Sequence, residues 1–212
     1  MNKISFWFKG LKAALLTAIG VSAIYSTLDY FYLQNAIETG ADPLETGSWD
    51  PFLTNLYLIF NLLSIGATIY LLVYSIGFVF RTAQLVRAAD PSAISWKPGW
   101  VIAGNFIPYL SLIVPFRFLL EINKATSNSD EEKKRTKTLL FANFFLSVAA
   151  LLIAGNNFTD IILGTVITFE EFVQNEFRVI IGSVFDIAAM FVMFKLIPSI
   201  FKGLPRSTPP TE

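Results

Sequence analysis

Four stretches of this chain are almost wholly apolar, at about 11–33, 52–80, 138–154 and 179–201. Each is close to, or longer than, the roughly 20 residues a helix needs to cross a hydrocarbon core of about 30 Å. The polar stretches between them alternate in charge. Residues 35–51 carry Glu38, Asp42, Glu45 and Asp50 with no basic residue, and Gly40, Pro43, Gly47 and Pro51 mark turns, so this stretch reads as a loop. Residues 155–178 carry Asp160, Glu170, Glu171 and Glu176 against Arg178 alone, and 158–172 is apolar enough for a short interfacial helix. The stretches at 3–12, 81–97 and 117–137 are basic. Within the last, Asp130, Glu131 and Glu132 precede Lys133, Lys134, Arg135 and Lys137, an order that suits a helix dipole, with Asn128 or Ser129 as the N-cap.

A fifth apolar stretch, 98–121, does not read as a simple span. It holds Pro98, Gly99, Trp100, Gly104, Asn105, Pro108, Pro115, Arg117 and Glu121. From Gly99 to Pro115 a helix would run about 25 Å. Pro108 lacks an N–H and would clash with the carbonyl four residues back. It also biases Ile107 away from helical angles, as Pro115 does Val114. The expectation is two half-elements, about 100–107 and 109–121, with a break between them. Freed backbone groups are tolerated at membrane depth only where protein or water satisfies them. The segment is therefore re-entrant or interfacial, the alternative being a kinked span.

Charge decides between these. With the N-terminus in the cytoplasm and 98–121 returning to its own side, every basic stretch, Lys202 and Arg206 included, faces the cytoplasm. Both acidic stretches then face outward, with Arg178 the one basic residue among them. A fifth crossing would place six basic residues of 117–137 outside. The expected fold class is thus all-α: a polytopic membrane bundle of four transmembrane helices plus one proline-broken element. It forms a single membrane domain over 1–204, with both termini cytoplasmic and a disordered tail at 205–212. A signal peptide ending at Val21-Ser22-Ala23 is the alternative for the first span. The apolar run continues to Tyr30, Phe31 and Tyr32, however, which favours a retained helix.

Composition narrows the chemistry. The chain has 212 residues, 54% hydrophobic and 15% charged, with zero formal net charge and mean hydropathy +0.57. It contains no cysteine and no histidine. That removes thiol nucleophiles, the commonest metal ligand and the commonest general base. No catalytic, cofactor-binding or metal-binding pattern is found, and an enzyme is not expected.

Several polar residues stand out. Asp186 lies about two turns into the fourth span, where a carboxylate costs about 2.5–3.5 kcal/mol on insertion scales. It reads as a polar clasp between helices, paired with an arginine of the broken element or protonated, or else as a proton or cation site. Lys195 can snorkel to the cytoplasmic end. Arg117 and Glu121, four apart, share a helix face. Arg81 can approach them from the end of span two, and such a cluster suits anionic lipid headgroups or simply anchors the broken helix. Trp96, Trp100 and Tyr109 suit interfacial anchoring. Asn55 and Asn61 suit hydrogen bonds between helices. Ala14, Ala18, Ser22 and Ser26 put small side chains on one face for close helix approach. Asp29 reads as a boundary residue at the outer end of span one. The near balance of acids and bases at 128–137 argues against nucleic-acid binding.

The pattern P-G-W-x5-F-I-P-x6-P-F-R-x3-E, from Pro98 to Glu121, resembles a bacterial membrane family known as domain of unknown function 4328. The similarity extends to the arginine-bearing end of the preceding span, Phe80-Arg81, and covers about 50–200. The chain departs from the usual member at Gly104-Asn105 and at Leu110-Ser111-Leu112-Ile113. The resemblance implies the architecture and no activity. The expected role is a non-enzymatic structural, accessory or lipid-interacting component of the bacterial cytoplasmic (inner) membrane. Its partners would be membrane lipids, itself or another membrane protein. The alternative is a small channel or transporter with a pathway at the broken helix and Asp186.

Overall fold

The structure, a computed structural model, describes residues 3–105, 110–127, 129–154 and 168–204. All regular structure among them is helical: α1 (Lys3–Thr39), α2 (Pro43–Thr46), α3 (Pro51–Ala89), α4 (Gly99–Asn105), α5 (Leu110–Thr126), α6 (Asp130–Ala154) and α7 (Phe169–Lys202). Four of these, α1, α3, α6 and α7, are long and apolar enough to cross a membrane. The chain is an all-α helical bundle, as the apolar runs require.

The helices outrun the apolar stretches. The 39 residues of α3 make about 58 Å of helix. Even at a 40° tilt a helix of this length would extend about 44 Å along a bilayer normal, more than the roughly 30 Å of a hydrocarbon core. The expected loop at 35–51 is partly helical: α1 runs on to Thr39, and α2 forms inside it. The reason is local capping. Gly40 turns at φ 69° and returns its N–H to the Ala36 carbonyl. Asp42 caps α2 by accepting from Leu44 N (2.8 Å), with Pro43 in the first turn and Gly47 at φ 63° after it. Asp50 then caps α3, accepting from Phe52 N (2.8 Å) and Leu53 N (3.3 Å).

Other ends follow the same chemistry. Ser129 Oγ accepts from Glu132 N (3.2 Å) at the start of α6, ahead of three acidic residues in its first turn. Thr168 and Glu171 cap one another at the start of α7. That helix begins well before 179, so residues 169–172 belong to it. Residues 158–167 of the expected interfacial helix, Asn128, Pro108, Tyr109 and the 205–212 tail lie outside the described residues. Val114 does not leave helical angles, because α5 continues through Pro115. Pro115 stands six residues into α5, where it forfeits one backbone bond, and Val114 is fully buried.

The chain divides into two compact units, and all four long helices contribute to both. The first comprises Met1–Leu15, Tyr70–Phe144 and Phe191–Glu212. Its core is built on Phe78, Phe118, Leu140, Leu196 and Ile200. In it α1 and α3 interlock. The Trp7 ring lies where a Cβ on Gly77 would be 2.1 Å away, and the Tyr74 ring where a Cβ on Gly10 would be 1.8 Å away. The broken element packs α4 on α5. Gly104 and Val114 would be about 15 Å apart in a continuous helix, yet a Cβ on Gly104 would meet Val114 Cβ at 2.8 Å. The element therefore doubles back on itself.

The second unit comprises Leu16–Ile69 and Phe145–Met190. Its core is aromatic: Leu28, Tyr32, Trp49 and Tyr57, with Tyr25, Phe60 and Phe172 packed against them. Ser26 Oγ, on the small-residue face of α1, donates to Ser183 Oγ of α7 at 2.7 Å.

Candidate functional site

Two clusters carry polar chemistry, one in each unit. In the first unit, Arg117 and Glu121 share a face of α5, with Nε 3.6 Å from Oε1. The turn before α4 comes to meet them. Ser95 donates to Glu121 from its N–H (3.1 Å) and its hydroxyl (2.5 Å). The Trp96 ring lies beneath the Arg117 guanidinium, 4.9 Å from centroid to Cζ. Arg87 Nη1 donates to the Trp96 carbonyl (3.3 Å) and so ties the turn to the end of α3. Trp100 stands 6.0 Å from Trp96 and is half exposed. The result is a guanidinium on a side chain 53% exposed, held in place by an aromatic plane and a fixed carboxylate. The turn itself is set by Asp90, which accepts from Ser92 N (2.8 Å) and Oγ (2.7 Å). Those bonds hold the exposed Asp90 carboxyl below the usual carboxylate range.

Arg81 is not part of this cluster. It is exposed and donates to Gln84 (3.0 Å) rather than approaching Arg117 and Glu121; the arginine of α3 that reaches the turn before α4 is Arg87, through the Trp96 carbonyl. Pro98 and Gly99 lead into α4, where Trp100 N and Val101 N bond the carbonyls of Lys97 and Pro98. Asn105 ends α4, and its side chain lies outside the described part of the structure. Asn123, which no local pattern singles out, is buried and bridges α5 to α6 through Nδ2 to the Lys133 carbonyl (3.1 Å).

The second unit contains a buried carboxylate at a position the sequence reading treated as a boundary. Asp29 is 1% exposed. The hydroxyls of Tyr57 and Tyr25 face its carboxyl group, yet Oδ1 has no hydrogen-bond partner among the described residues. The two tyrosine hydroxyls are 3.3 Å apart, and Asn61 Nδ2 donates to Tyr25 (3.4 Å). The rings form a column, with Tyr25 on Tyr57 at 5.6 Å and Tyr57 on Tyr32 at 5.0 Å and 10°. Tyr32 donates to Asp42 in a short bond, and Trp49 sits edge-on to Tyr32. Asp186, by contrast, is exposed and forms no hydrogen bond or ion pair among the described residues. The expected clasp at that position is not made there. Asn55 is likewise exposed.

A family model described as "Domain of unknown function (DUF4328)" matches residues 53–202. The chain belongs to this family. No curated protein and no solved structure matches it. The DUF4328 region holds α3 to α7 apart from the first two residues of α3, and with them the whole Trp96–Arg117–Glu121 cluster. Asp29, Tyr25, Tyr32, Asp42 and Trp49 precede it, whereas Tyr57, Asn61 and Glu176 lie within it. The second cluster is thus assembled from the DUF4328 region and the α1–α2 segment before it. Among the described residues no group of three or more metal-ligating side chains comes together.

Proposed function

We propose that this DUF4328 protein is a non-enzymatic component of the bacterial cytoplasmic membrane that holds anionic lipid headgroups at Arg117. The observation that carries this reading is the half-exposed guanidinium fixed between Trp96 and Glu121. A pre-organised guanidinium loses little freedom on meeting a phosphate and can bind it bidentately. In this reading α4 and α5 form a re-entrant or interfacial hairpin, with Trp96 and Trp100 at headgroup level. Both termini lie in the cytoplasm, by the distribution of lysine and arginine. The partners are membrane lipids and, through exposed apolar helix faces, another copy or another membrane protein. Nucleic acid is not among them, since Asp130, Glu131 and Glu132 offset the basic run that follows. Native mass spectrometry of the purified chain tests the headgroup site. Arg117→Ala should lower retention of anionic lipid about tenfold while zwitterionic lipid is unaffected. Equal retention by both proteins removes the reading.

Asp186 supports a second reading, a small channel or transporter with its pathway at the broken element and at this carboxylate. An exposed acid on a spanning helix is costly unless something in use surrounds it. Ion-driven flux in proteoliposomes that disappears in Asp186→Asn would establish it. Absence of flux in the wild-type protein ends it.

A further inference from the structure

We propose that the Asp29–Tyr25–Tyr57 cluster is a binding site for a small monovalent cation, a proton or an alkali ion, taken up at the free oxygen Oδ1 of Asp29. This is independent of the headgroup site, which lies in the other unit.

The argument begins with an unmet need. A carboxylate removed from water requires a compensating charge or a full set of hydrogen bonds. Asp29 is 1% exposed, and its Oδ1 has neither among the described residues. The groups around it do not supply positive charge. Tyr25, on α1 itself, and Tyr57, on α3, face it with hydroxyls. From α7, Glu176 acts on it through space as a second acid, and Glu176 in turn feels Asp42. The part of α6 in this unit, 145–154, has no titratable side chain. Across the whole unit ten carboxylates stand against one basic residue, Arg178. Arg178 is exposed and forms no ion pair among the described residues.

The ligand class follows from what is present. With Glu176 half-buried and near enough to feel both Asp29 and Asp42, the site attracts positive charge. No described group of three metal-ligating side chains exists here, which disfavours a divalent ion. One carboxylate oxygen and two hydroxyl oxygens are hard donors suited to an alkali ion, and the same oxygen accepts a proton. The tyrosines can serve either state. Asn61 donates to Tyr25, which leaves the Tyr25 proton free to bond Asp29 or Tyr57. The stacked column of Tyr25, Tyr57 and Tyr32 holds those hydroxyls in position.

The test uses the full chain in lipid nanodiscs. Its thermal unfolding midpoint is followed against sodium and potassium at fixed pH, and against pH at fixed salt with the large organic cation choline as the control ion. A midpoint that moves with sodium or potassium but not choline identifies an alkali ion. A midpoint that moves with pH alone identifies a proton. Asp29→Asn should abolish the alkali-ion response, or flatten the pH response relative to wild type. Tyr57→Phe should keep it but raise the half-saturating cation concentration about tenfold. Should Asp29→Asn fail to fold, infrared difference spectra of wild-type protein with isotope-labelled aspartate decide. A carboxyl band that changes with the cation and is altered in Tyr57→Phe supports the site. Identical responses of wild type and Asp29→Asn, or no change in that band, overturn it.

Discussion

The two units are opposites in charge and in the way they are packed. The first carries fifteen basic and six acidic residues, formally +9; the second carries one basic and ten acidic, formally −9. The chain as a whole is neutral, so its net charge hides this segregation. The first unit closes its helices by letting rings enter glycine gaps, as Trp7 does at Gly77. The second closes them with a column of tyrosines around an acid. In the basic unit the conspicuous charge, Arg117, is exposed and paired. In the acidic unit the conspicuous charge, Asp29, is buried with an oxygen left over. An exposed, braced cation suits a ligand that arrives from a surface, whereas a buried, under-satisfied anion suits one that must shed its water. That difference separates the two proposed sites.

The contrast can be broken most completely by topology. The chain has no cysteine, so single cysteines report without background. Ser48 and Ser92 are both exposed, one in each unit. An impermeant thiol reagent added to intact cells should label Ser48→Cys fully. It should label Ser92→Cys only after the membrane is opened. Labelling of both from outside would dismantle the charge-based orientation. Next in size is Trp49→Ala. It removes a ring 6% exposed that packs edge-on against Tyr32 and Tyr57, at a cost of about 3–5 kcal/mol. A denaturant titration in mild detergent should show the lower midpoint.

A finer comparison uses two glycines of the same helix. Gly77→Ala drives a Cβ toward the Trp7 ring and should cost about 1–3 kcal/mol. Gly66→Ala, in the acidic unit, meets nothing within 4 Å and should be neutral or stabilise by up to about 1 kcal/mol. Equal effects on the thermal midpoint would show that α1 and α3 do not interlock as described. The smallest effect is at the Asp90 turn. Its carboxyl is held below the ordinary value of 3.8 by Ser92. The associated stability is therefore fully present above that value and is lost as pH falls through the lower folded-state value. Ser92→Ala should lower the midpoint slightly at neutral pH, and the gap to wild type should close below about pH 4. A gap that persists in acid would mean that the serine acts by packing rather than through the carboxylate.

Much of the fold could be read from the chain. Four apolar runs gave four helices because a backbone without water must bond to itself. Pro108 and its neighbours implied two half-elements, and α4 and α5 are those elements. The family resemblance over about 50–200 agrees with the match at 53–202. The candidate sites were less legible. Arg117 and Glu121 were visible because a four-residue spacing is a local property of a helix. Ser95 was not, since it stands 26 residues from Glu121 and reaches it only through the turn before α4. Asp29 reads locally as a boundary residue because it sits beside Tyr30, Phe31 and Tyr32, where a span normally ends. Nothing local says that Tyr57, from another helix, closes over it. Asp186 stands out in the sequence for its depth in a span, yet depth does not reveal which way a side chain faces.

The sequence by itself determined the helical class, the number of apolar runs, the segregation of charge between them and the division of 98–121 into two half-elements. These depend on composition, spacing and proline chemistry within a few residues. The tertiary structure alone decided that α4 doubles back on α5, that Arg87 rather than Arg81 braces the Trp96 turn, and that Asp29 rather than Asp186 is the buried acid. Those facts arise where helices distant in the chain come together. There the burial of one side chain is set by its neighbours on another helix, a relation that no local pattern encodes.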